Sequence, residues 1–388
     1  MISPCIVGWG HTRFGKHTER SIPSLIEEAV TEALSRAALS PEDIDAIFLG
    51  HFNGGFVGQD FSAPLVGLAI PALRTTPACR LENACATGSA AIWAARDSVA
   101  SGRVRRALVV GVEKMTERTS TEAGEILLRC SFTEEERSTP GGFAGIFARF
   151  AQAYFERYGD QSDALAYIAA KNHANGCSNP YAHFQKDLGL AFCKTASERN
   201  PYVAGPLKRS DCSPVTDGAA ALVIANEARP SASVPAISWL SATQVNDSFP
   251  MSTRDLTQFG AARLAWQKGL RDARITLDDL SLVETHDCFT IAELMQYEAM
   301  GLCAAGEAAR VACDGSTHKE GRLPVNPSGG LKSKGHPIGA TGVSMHVMAA
   351  MQLSHMAGGM QVAKASRAAV FNMGGSGVAN YLSVLQPL

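Results

Sequence analysis

Hydrophobic positions along the chain alternate between helical spacing and short apolar runs, which predicts a mixed α/β protein. In residues 29–51, AVTEALSRAALSPEDIDAIFLGH, apolar positions three and four apart are followed by a turn and a short apolar run. This pattern predicts an amphipathic helix, a capped turn in which Ser40 precedes acidic residues, and a strand. The opening stretch MISPCIVGWGHTRFG also predicts a strand rather than a secretion signal, because it lacks a basic segment and a long apolar segment.

The same helix–turn–strand pattern returns in the second part of the chain. Residues 265–287, AWQKGLRDARITLDDLSLVETHD, align with 29–51 without a gap, and Thr276 takes the place of Ser40 before an acidic turn. Two such repeats predict two α/β halves of like topology. Further stretches correspond in order: CATGSAAIWAARDSVASG with HPIGATGVSMHVMAAMQLSHMAGG, RALVVG (106–111) with RAAVFN (367–372), and GAAALVIAN (218–226) with GVANYLSVL (377–385).

The first repeat contains a long insertion before its last strand, whereas the last two strands of the second repeat are joined almost directly. The insertion, 117–207, is rich in Tyr, Phe, His, Asn and Arg, which favours a loop domain that covers a ligand. A purely structural excursion is the alternative. We predict an N-terminal half over 1–116 plus 208–230, the inserted loop domain over 117–207, and a C-terminal half over 231–388.

Composition and charge narrow the classes of function. The 388 residues carry a formal net charge of −2 without any long basic block, so neither nucleic acid nor an anionic membrane surface is an expected partner. No apolar run approaches the ~18 residues that a membrane span needs. The ten cysteines are scattered, without a CxxC pair or zinc-finger spacing, which predicts reduced thiols in the cytoplasm and no bound metal.

Two residues at equivalent places in the repeats are candidates for a catalytic pair. Cys85 precedes a helical run of small residues, and the alignment of the repeats places His336 opposite it. A helix N-terminus favours a thiolate, and equivalent helix starts of two stacked halves can face one another. The spacing therefore indicates a Cys–His pair that makes a nucleophile. A packing cysteine and a satisfied core histidine are the alternatives.

The residues around His336 form a glycine-rich loop. The stretch NPSGGLKSKGHPIGATG (326–342) contains five glycines that permit close approach of the backbone. Because it matches neither GxGxxG nor GxxxxGK[ST], a nucleotide-binding loop is not indicated.

Two other stretches carry candidate chemistry. LVETHDCFTIAE (282–293) places His286, Asp287 and Cys288 at the C-terminal end of a strand, where ligands gather in open α/β sheets. FNMGGSGVAN (371–380) is a strand that ends in a glycine-rich bend, whose N–H groups can stabilise an oxyanion. An ordinary strand-end turn and a plain hairpin are the respective alternatives.

Four motifs, in their order and spacing, resemble the thiolase family over essentially the whole chain: ENACATGSAA, HDCFTIAE, GGLKSKGHPIGATG and DCSPVTDGAAALVIANE. The HDCF form, in place of NEAF, is similar to the sterol-carrier-protein type of thiolase and to related acetyl-CoA acetyltransferases. The resemblance implies the thiolase fold: two duplicated βαβαβαββ halves in a five-layered α-β-α-β-α arrangement with an inserted loop domain. It also implies coenzyme A as a substrate, no cofactor, and a homodimer or homotetramer.

The resemblance implies a role for each matching residue. Cys85 would be the nucleophile, His336 would activate its thiol and help to hold the thioester oxygen, and His286 would complete that oxyanion hole. The backbone N–H groups of Cys85 and Gly374 would form a second hole. Four residues would support these loops: Asn326, Gly335, Gly375 and Asn372.

The chain departs from the family at one position. Many thiolases carry a second reactive cysteine in a CxG motif, and Asn372 stands there in this chain. Because an amide cannot exchange a proton near neutral pH, the resemblance to the HDCF group assigns the acid/base role to Cys288.

The resemblance predicts ping-pong acyl transfer between acyl-CoA or 3-ketoacyl-CoA and CoA, as thiolytic cleavage or Claisen condensation. The alternatives are a decarboxylating condensing enzyme, and a C-acyltransferase or aldolase subunit that needs a small OB-fold partner protein. A metal or redox protein built on the cysteines is a third, disfavoured by their spacing.

Overall fold

The structure, a computed structural model, describes residues 4–226 and 234–388. The predicted boundary between the two halves, at 230/231, lies outside the described residues. The first half begins with alternating strands and helices: β1 (Cys5–His11), α1 (Ile22–Ala37), β2 (Ala46–Gly50), α2 (Leu65–Ala69), β3 (Ala78–Leu81), α3 (Thr87–Ala100) and β4 (Arg106–Glu113).

The inserted segment is mainly helical, and a strand of the first half follows it. It packs through α6 and α7 on helices of the second half. Its elements and the strand after it are α4 (Ser120–Leu128), α5 (Thr133–Glu136), α6 (Gly142–Tyr158), α7 (Ser162–Gly176), α8 (Leu190–Lys194), β5 (Tyr202–Ala204), β6 (Leu207–Lys208) and β7 (Gly218–Ala225).

The second half repeats the order of the first with additional short helices. Its elements are β8 (Ile237–Asn246), α9 (Gly260–Ala273), β9 (Leu282–Thr285), α10 (Thr290–Ala299), α11 (Ala308–Cys313), α12 (Gly330–Lys334), α13 (Ile338–Leu353), β10 (Ala368–Gly374) and β11 (Ala379–Pro387).

The helix–turn–strand repeat occurs as predicted in both halves. Helix α1 ends at a residue in the left-handed conformation, Ala38, and α9 ends likewise at Arg274. A capping box follows each helix: Asp43 accepts a hydrogen bond from the backbone N–H of Ser40, and Asp279 accepts one from that of Thr276. Each box satisfies a backbone N–H at the start of the turn, and both turns lead into a strand, β2 or β9.

The nine long strands form one sheet in the order β3-β2-β4-β7-β1-β8-β11-β10-β9. The two halves meet in a short antiparallel pairing of β1 with β8, in which Ile6 lies opposite Ile237. The complete βαβαβαββ order occurs in the first half. In the second half, the third strand is reduced among the described residues to an isolated bridge between Val283 and Val325.

The helices give the layers of the thiolase fold. The two central helices, α3 and α13, pack against each other, and α13 contacts strands of both halves. Every residue of α13 is buried, as expected for a helix that is apolar all round. Helix α1 covers the outer face of β1 and β7, and α9 covers that of β8 and β11. None of the described helices has the length and apolar character needed to cross a membrane.

One glycine at the start of each central helix, Gly88 in α3 and Gly342 in α13, allows the two helices to approach closely. A Cβ atom on Gly342 would lie 2.3 Å from the backbone nitrogen of Ser89, and one on Gly88 would lie 2.8 Å from that of Val343. The contact brings the N-terminal ends of α3 and α13 together, which is where the candidate catalytic residues lie.

Candidate active site

Three of the predicted site residues meet at the centre of the fold. Cys85 lies just before α3, His286 just after β9, and His336 just before α13. One ligating atom from each, a sulfur or a ring nitrogen, lies within 4.8 Å of the other two. The two imidazole rings meet edge to face with their centroids 5.1 Å apart. The structure thus brings the predicted Cys–His pair together and adds the second histidine to it.

A tight turn presents Cys85 at the start of α3. Ala84 has a positive φ of 50°, and the backbone N–H of Asn83 donates to the hydroxyl of Thr87, 2.8 Å away. Only 2% of Cys85 is exposed, and this burial raises the pKa of its thiol to about 12 although a backbone N–H of Gly375 opposes the shift. Burial therefore outweighs the favourable helix terminus, so a base must remove the thiol proton.

His336 has the hydrogen bonds of such a base. Its Nδ1 lies 2.7 Å from the hydroxyl of Thr341, and that hydroxyl donates its one proton to the carbonyl of Pro337. The hydroxyl must then accept from Nδ1–H, which leaves the lone pair on Nε2. Burial, aided by the charge of Lys334, lowers the pKa of His336 to about 3, so the ring is neutral. The buried Nε2 has no hydrogen-bond partner among the described residues.

The second histidine, His286, is held by Asn372 on the neighbouring strand. The side-chain nitrogen of Asn372, in β10, lies 2.9 Å from Nδ1 of His286 and also donates to the carbonyl of Cys85 over 3.1 Å. The hydroxyl of Ser89 donates to the amide oxygen of Asn372 over 2.7 Å. Burial lowers the pKa of His286 well below its usual value, and a proton on His336 would lower it further.

Cys288 lies beside this group of three but does not belong to it. It follows His286 by two residues, is buried, and its carbonyl accepts a hydrogen bond from the backbone N–H of Ser213 over 2.9 Å. Burial raises the pKa of the Cys288 thiol well above its usual value, and the charge of Cys85 adds to the shift. The acid/base role of Cys288 stays a prediction.

The glycine bend after β10 lies against Cys85. The backbone amides that reach the sulfur are those of Cys85 itself and of Gly375, which is one residue beyond the predicted Gly374. A Cβ on Gly374 would lie 2.4 Å from the carbonyl of Asn83, so this position must stay free of a side chain. The second oxyanion hole, from the N–H groups of Cys85 and Gly374, stays a prediction.

Two other predicted residues support the loops from outside the group. Asn326 accepts a hydrogen bond from the backbone N–H of Thr285 and donates to Glu293, each over 2.8 Å. Gly335 has a φ of 116° and would place a Cβ 2.9 Å from the hydroxyl of Thr216. That hydroxyl accepts a hydrogen bond from the backbone N–H of His336, so both residues fix the ends of catalytic loops.

Comparison with known proteins shows the family to which the chain belongs. The model of the thiolase N-terminal domain matches residues 5–228, and the thiolase C-terminal domain-like model matches residues 242–387. The chain belongs to the thiolase family. It is 33% identical to an acetyl-CoA acetyltransferase of Methanothermobacter thermautotrophicus over 97% of both chains. It is also 32% identical to sterol carrier protein 2 of Gallus gallus, over 95% of this chain and 69% of that protein.

A solved structure described as an Ltp2-ChsH2(DUF35) aldolase has the same fold. It superposes with a TM-score of 0.82 at 22% identity and covers 99% of this thiolase and 98% of that chain. Together with the relatives at or above 30% identity, the family match identifies this chain as a thiolase-type acyltransferase. Thiolases use CoA as a substrate.

This thiolase also contains a buried polar network that the sequence did not reveal. Lys171, in α7 of the inserted segment, forms an ion pair with Glu293 over 2.5 Å. The neighbouring Asn172 donates to both Glu293 and Asp287, over 2.7 and 2.8 Å. Asp287 in turn accepts from the backbone N–H of Leu331 over 2.6 Å. The network ties the inserted segment to the HDCF loop and to the first turn of α12.

Burial and the adjacent charge of Glu293 raise the pKa of Asp287. The HDC triplet was the only signal in the sequence for these contacts. Lys171 and Asn172 look like ordinary polar residues on the exposed face of a helix.

A cavity of about 720 Å³ in the thiolase is lined mainly by the inserted segment and by the residues 209–215 that follow it. Its inner lining includes Ser213, which bonds to the carbonyl of Cys288. None of its described lining residues is acidic, and six are cationic: Lys16, Arg118, Lys186, Arg199, Arg209 and Lys332.

Proposed function

We propose that this thiolase transfers acyl groups between a 3-ketoacyl-CoA and CoA through a thioester on Cys85. One observation carries the assignment: the Cys85 sulfur lies within 4.8 Å of a ring nitrogen of His336 and of one of His286, and the buried Nε2 of His336 has no hydrogen-bond partner among the described residues. A buried thiol with a raised pKa cannot react alone, and this arrangement supplies the base that it needs.

In the cleavage direction, Nε2 of His336 takes the proton from Cys85 while the sulfur attacks the 3-keto carbon. The bond between C2 and C3 then breaks, and its electron pair forms the enolate of acetyl-CoA. His336 and His286 hold the enolate oxygen, and Cys288 returns a proton to its carbon. Incoming CoA gives its thiol proton to Cys288 and attacks the acyl group on Cys85, whose sulfur leaves and takes back its proton from His336. This restores the free enzyme.

These roles predict how much each residue contributes to the rate. Loss of one oxyanion donor commonly reduces the rate ~100-fold or more. A positioned acid/base contributes a further ~100- to 10,000-fold. The two histidines therefore contribute most where negative charge develops on the substrate oxygen.

The cationic cavity is the proposed site for the phosphates of CoA. Its positive lining suits a ligand with several phosphate groups, and its inner end lies near the HDCF loop. The pantetheine arm would run past Ser213 toward Cys85.

Reversing one charge in this cavity should weaken CoA binding. In Arg199→Glu, we expect the KM for CoA to rise about tenfold, with kcat nearly unchanged, because the lost contact is made equally in the ground state and the transition state. Steady-state thiolysis assays over a range of CoA concentrations measure both. Arg271→Glu, an equal change on the exposed face of α9, is the control and should leave KM unchanged. Equal KM values in the two variants would contradict the assignment of the cavity.

The purified chain alone should thiolyse acetoacetyl-CoA in the presence of CoA. Loss of acetoacetyl-CoA absorbance and formation of acetyl-CoA measure the reaction, and longer 3-ketoacyl-CoAs define the chain length. Malonyl-CoA as the carbon donor should be inactive. If only malonyl-CoA supported carbon–carbon bond formation, the enzyme would be a decarboxylating condensing enzyme instead.

A second candidate function is a C-acyltransferase or aldolase subunit that works with a small OB-fold partner. The observation in its favour is the hairpin of β5 and β6 at the rim of the cavity, where Tyr202 is 62% exposed and Val203 is 44% exposed. Inactivity of the chain alone toward every 3-ketoacyl-CoA would favour this second function.

We also propose a homo-oligomer in the cytoplasm. Strand β3 ends the sheet with an unpaired edge, and Phe61 and Leu68 are exposed in the segment that precedes it. A second copy of the chain would cover such an edge. The exposed thiols of Cys79, Cys177 and Cys313 suit a reducing compartment.

A further inference from the structure

Asn372 replaces the second cysteine of many thiolases, and its contacts give it a function of its own. Its side chain is fully buried and touches three groups: the hydroxyl of Ser89, the carbonyl of Cys85 and Nδ1 of His286. The orientation of the amide follows from one of them. A backbone carbonyl can only accept a hydrogen bond, so the NH2 group of Asn372 must be the end that faces Cys85.

The same NH2 group lies 2.9 Å from Nδ1 of His286. An amide nitrogen donates and does not accept, so Nδ1 must carry a lone pair. In a neutral imidazole the proton is then on Nε2. We propose that Asn372 is a positioning residue that locks His286 as the Nε2–H tautomer and so makes it a hydrogen-bond donor to the substrate oxygen.

The two histidines of the site are thus set to opposite functions by the side chains behind them. Thr341 accepts a hydrogen bond from Nδ1–H of His336, which leaves Nε2 of that ring free to act as a base. Asn372 donates a hydrogen bond to Nδ1 of His286, which leaves an Nε2–H that can donate to the substrate. The inference rests on the proposed function for its catalytic meaning. The tautomer itself can be measured in the free protein without any substrate.

A second consequence concerns metal ions. A sulfur and two ring nitrogens within 4.8 Å of one another are the donor set of a zinc site, and zinc needs a lone pair from each nitrogen. Asn372 removes the lone pair of Nε2 from His286. We therefore expect Asn372 to weaken the capture of the thiol by Zn²⁺ as well as to provide the donor.

Histidine-selective ¹⁵N labelling tests the inference directly. Two-bond ¹H–¹⁵N spectra distinguish the tautomers, and the His286→Gln variant assigns the signals of this ring among the ten histidines. We expect the Nε2–H pattern for His286 in the wild type and in Ser89→Ala, which keeps the amide nitrogen in place. A Nδ1–H or doubly protonated ring in the wild type would overturn the proposal, whatever the activity of the enzyme.

The Asn372→Asp variant tests how the tautomer of His286 affects catalysis and metal binding. A carboxylate accepts from Nδ1–H, so His286 should lose the Nε2–H donor in its neutral form. We expect kcat for thiolysis to fall about 100-fold with little change in KM, and Zn²⁺ to inhibit at concentrations at least about tenfold lower than for the wild type, reversibly with a chelator. Unchanged Zn²⁺ sensitivity in a folded variant would overturn the inference. An inactive wild type with the Nε2–H pattern would overturn the proposed function alone.

Discussion

Replacing Cys85 with serine should abolish thiolysis while leaving the fold intact. The serine hydroxyl is a far weaker nucleophile than a thiol, and it would occupy the same small, almost fully buried space. We expect kcat to fall by more than about 10,000-fold. Acetoacetyl-CoA thiolysis measures the loss, circular dichroism and thermal unfolding measure the fold, and intact-protein mass spectrometry shows whether an acyl group is still bound.

Cys130→Ser is the matched control, because Cys130 is also buried and lies close enough for the charge of Cys85 to raise its pKa. No step of the proposed mechanism uses it. The control should keep its activity and accept an acetyl group from acetyl-CoA. Acetylation found on Cys130 in the wild type, or full activity in Cys85→Ser, would show that another residue carries the acyl group.

Replacing Cys288 with alanine should separate the two halves of the reaction. Attack of Cys85 on a simple acyl-CoA needs no carbon acid, so acetylation by acetyl-CoA should proceed at a near-normal rate. Cleavage and formation of the carbon–carbon bond need proton transfer at C2, and we expect that step to slow by about 100- to 10,000-fold.

Stopped-flow acylation and steady-state thiolysis of acetoacetyl-CoA measure the two steps separately. Exchange of the methyl protons of acetyl-CoA with solvent deuterium gives a third measurement, because the same group would remove these protons. Cys130→Ala is the control, because this cysteine is also buried and no step of the proposed mechanism uses it. Normal thiolysis in Cys288→Ala would show that a different group transfers the proton.

The duplicated units could be predicted from the sequence because their signals are local. The hydrogen bonds of Ser40 with Asp43 and of Thr276 with Asp279 join residues only three positions apart. The apolar spacing that predicts α1 and α9 is likewise visible within a few helical turns. The pairing of β1 with β8 had no such signal. It joins strands from opposite halves, and only the folded chain brings their backbones together.

The site residues also fall into those that local motifs predicted and those that only the folded chain brings together. Motifs identified Cys85, His286 and His336, since each stands at the end of a regular element whose partner in the other repeat was visible. The network of Lys171 and Asn172 was missed because these side chains find their carboxylate partners more than a hundred residues away. A charged residue on a helix normally indicates a solvated face, and only tertiary packing makes it a buried one.

The anchoring of α7 limits how the enzyme can be re-engineered. Glu293 and Asp287 are both fully buried, and the cation and amide that compensate them come from the inserted segment. A chimaera that received this segment from another protein would keep the carboxylates and lose their partners, which typically costs several kcal/mol of stability for a buried ion pair. Specificity grafts in this scaffold must therefore transfer α7 and α10 as one unit.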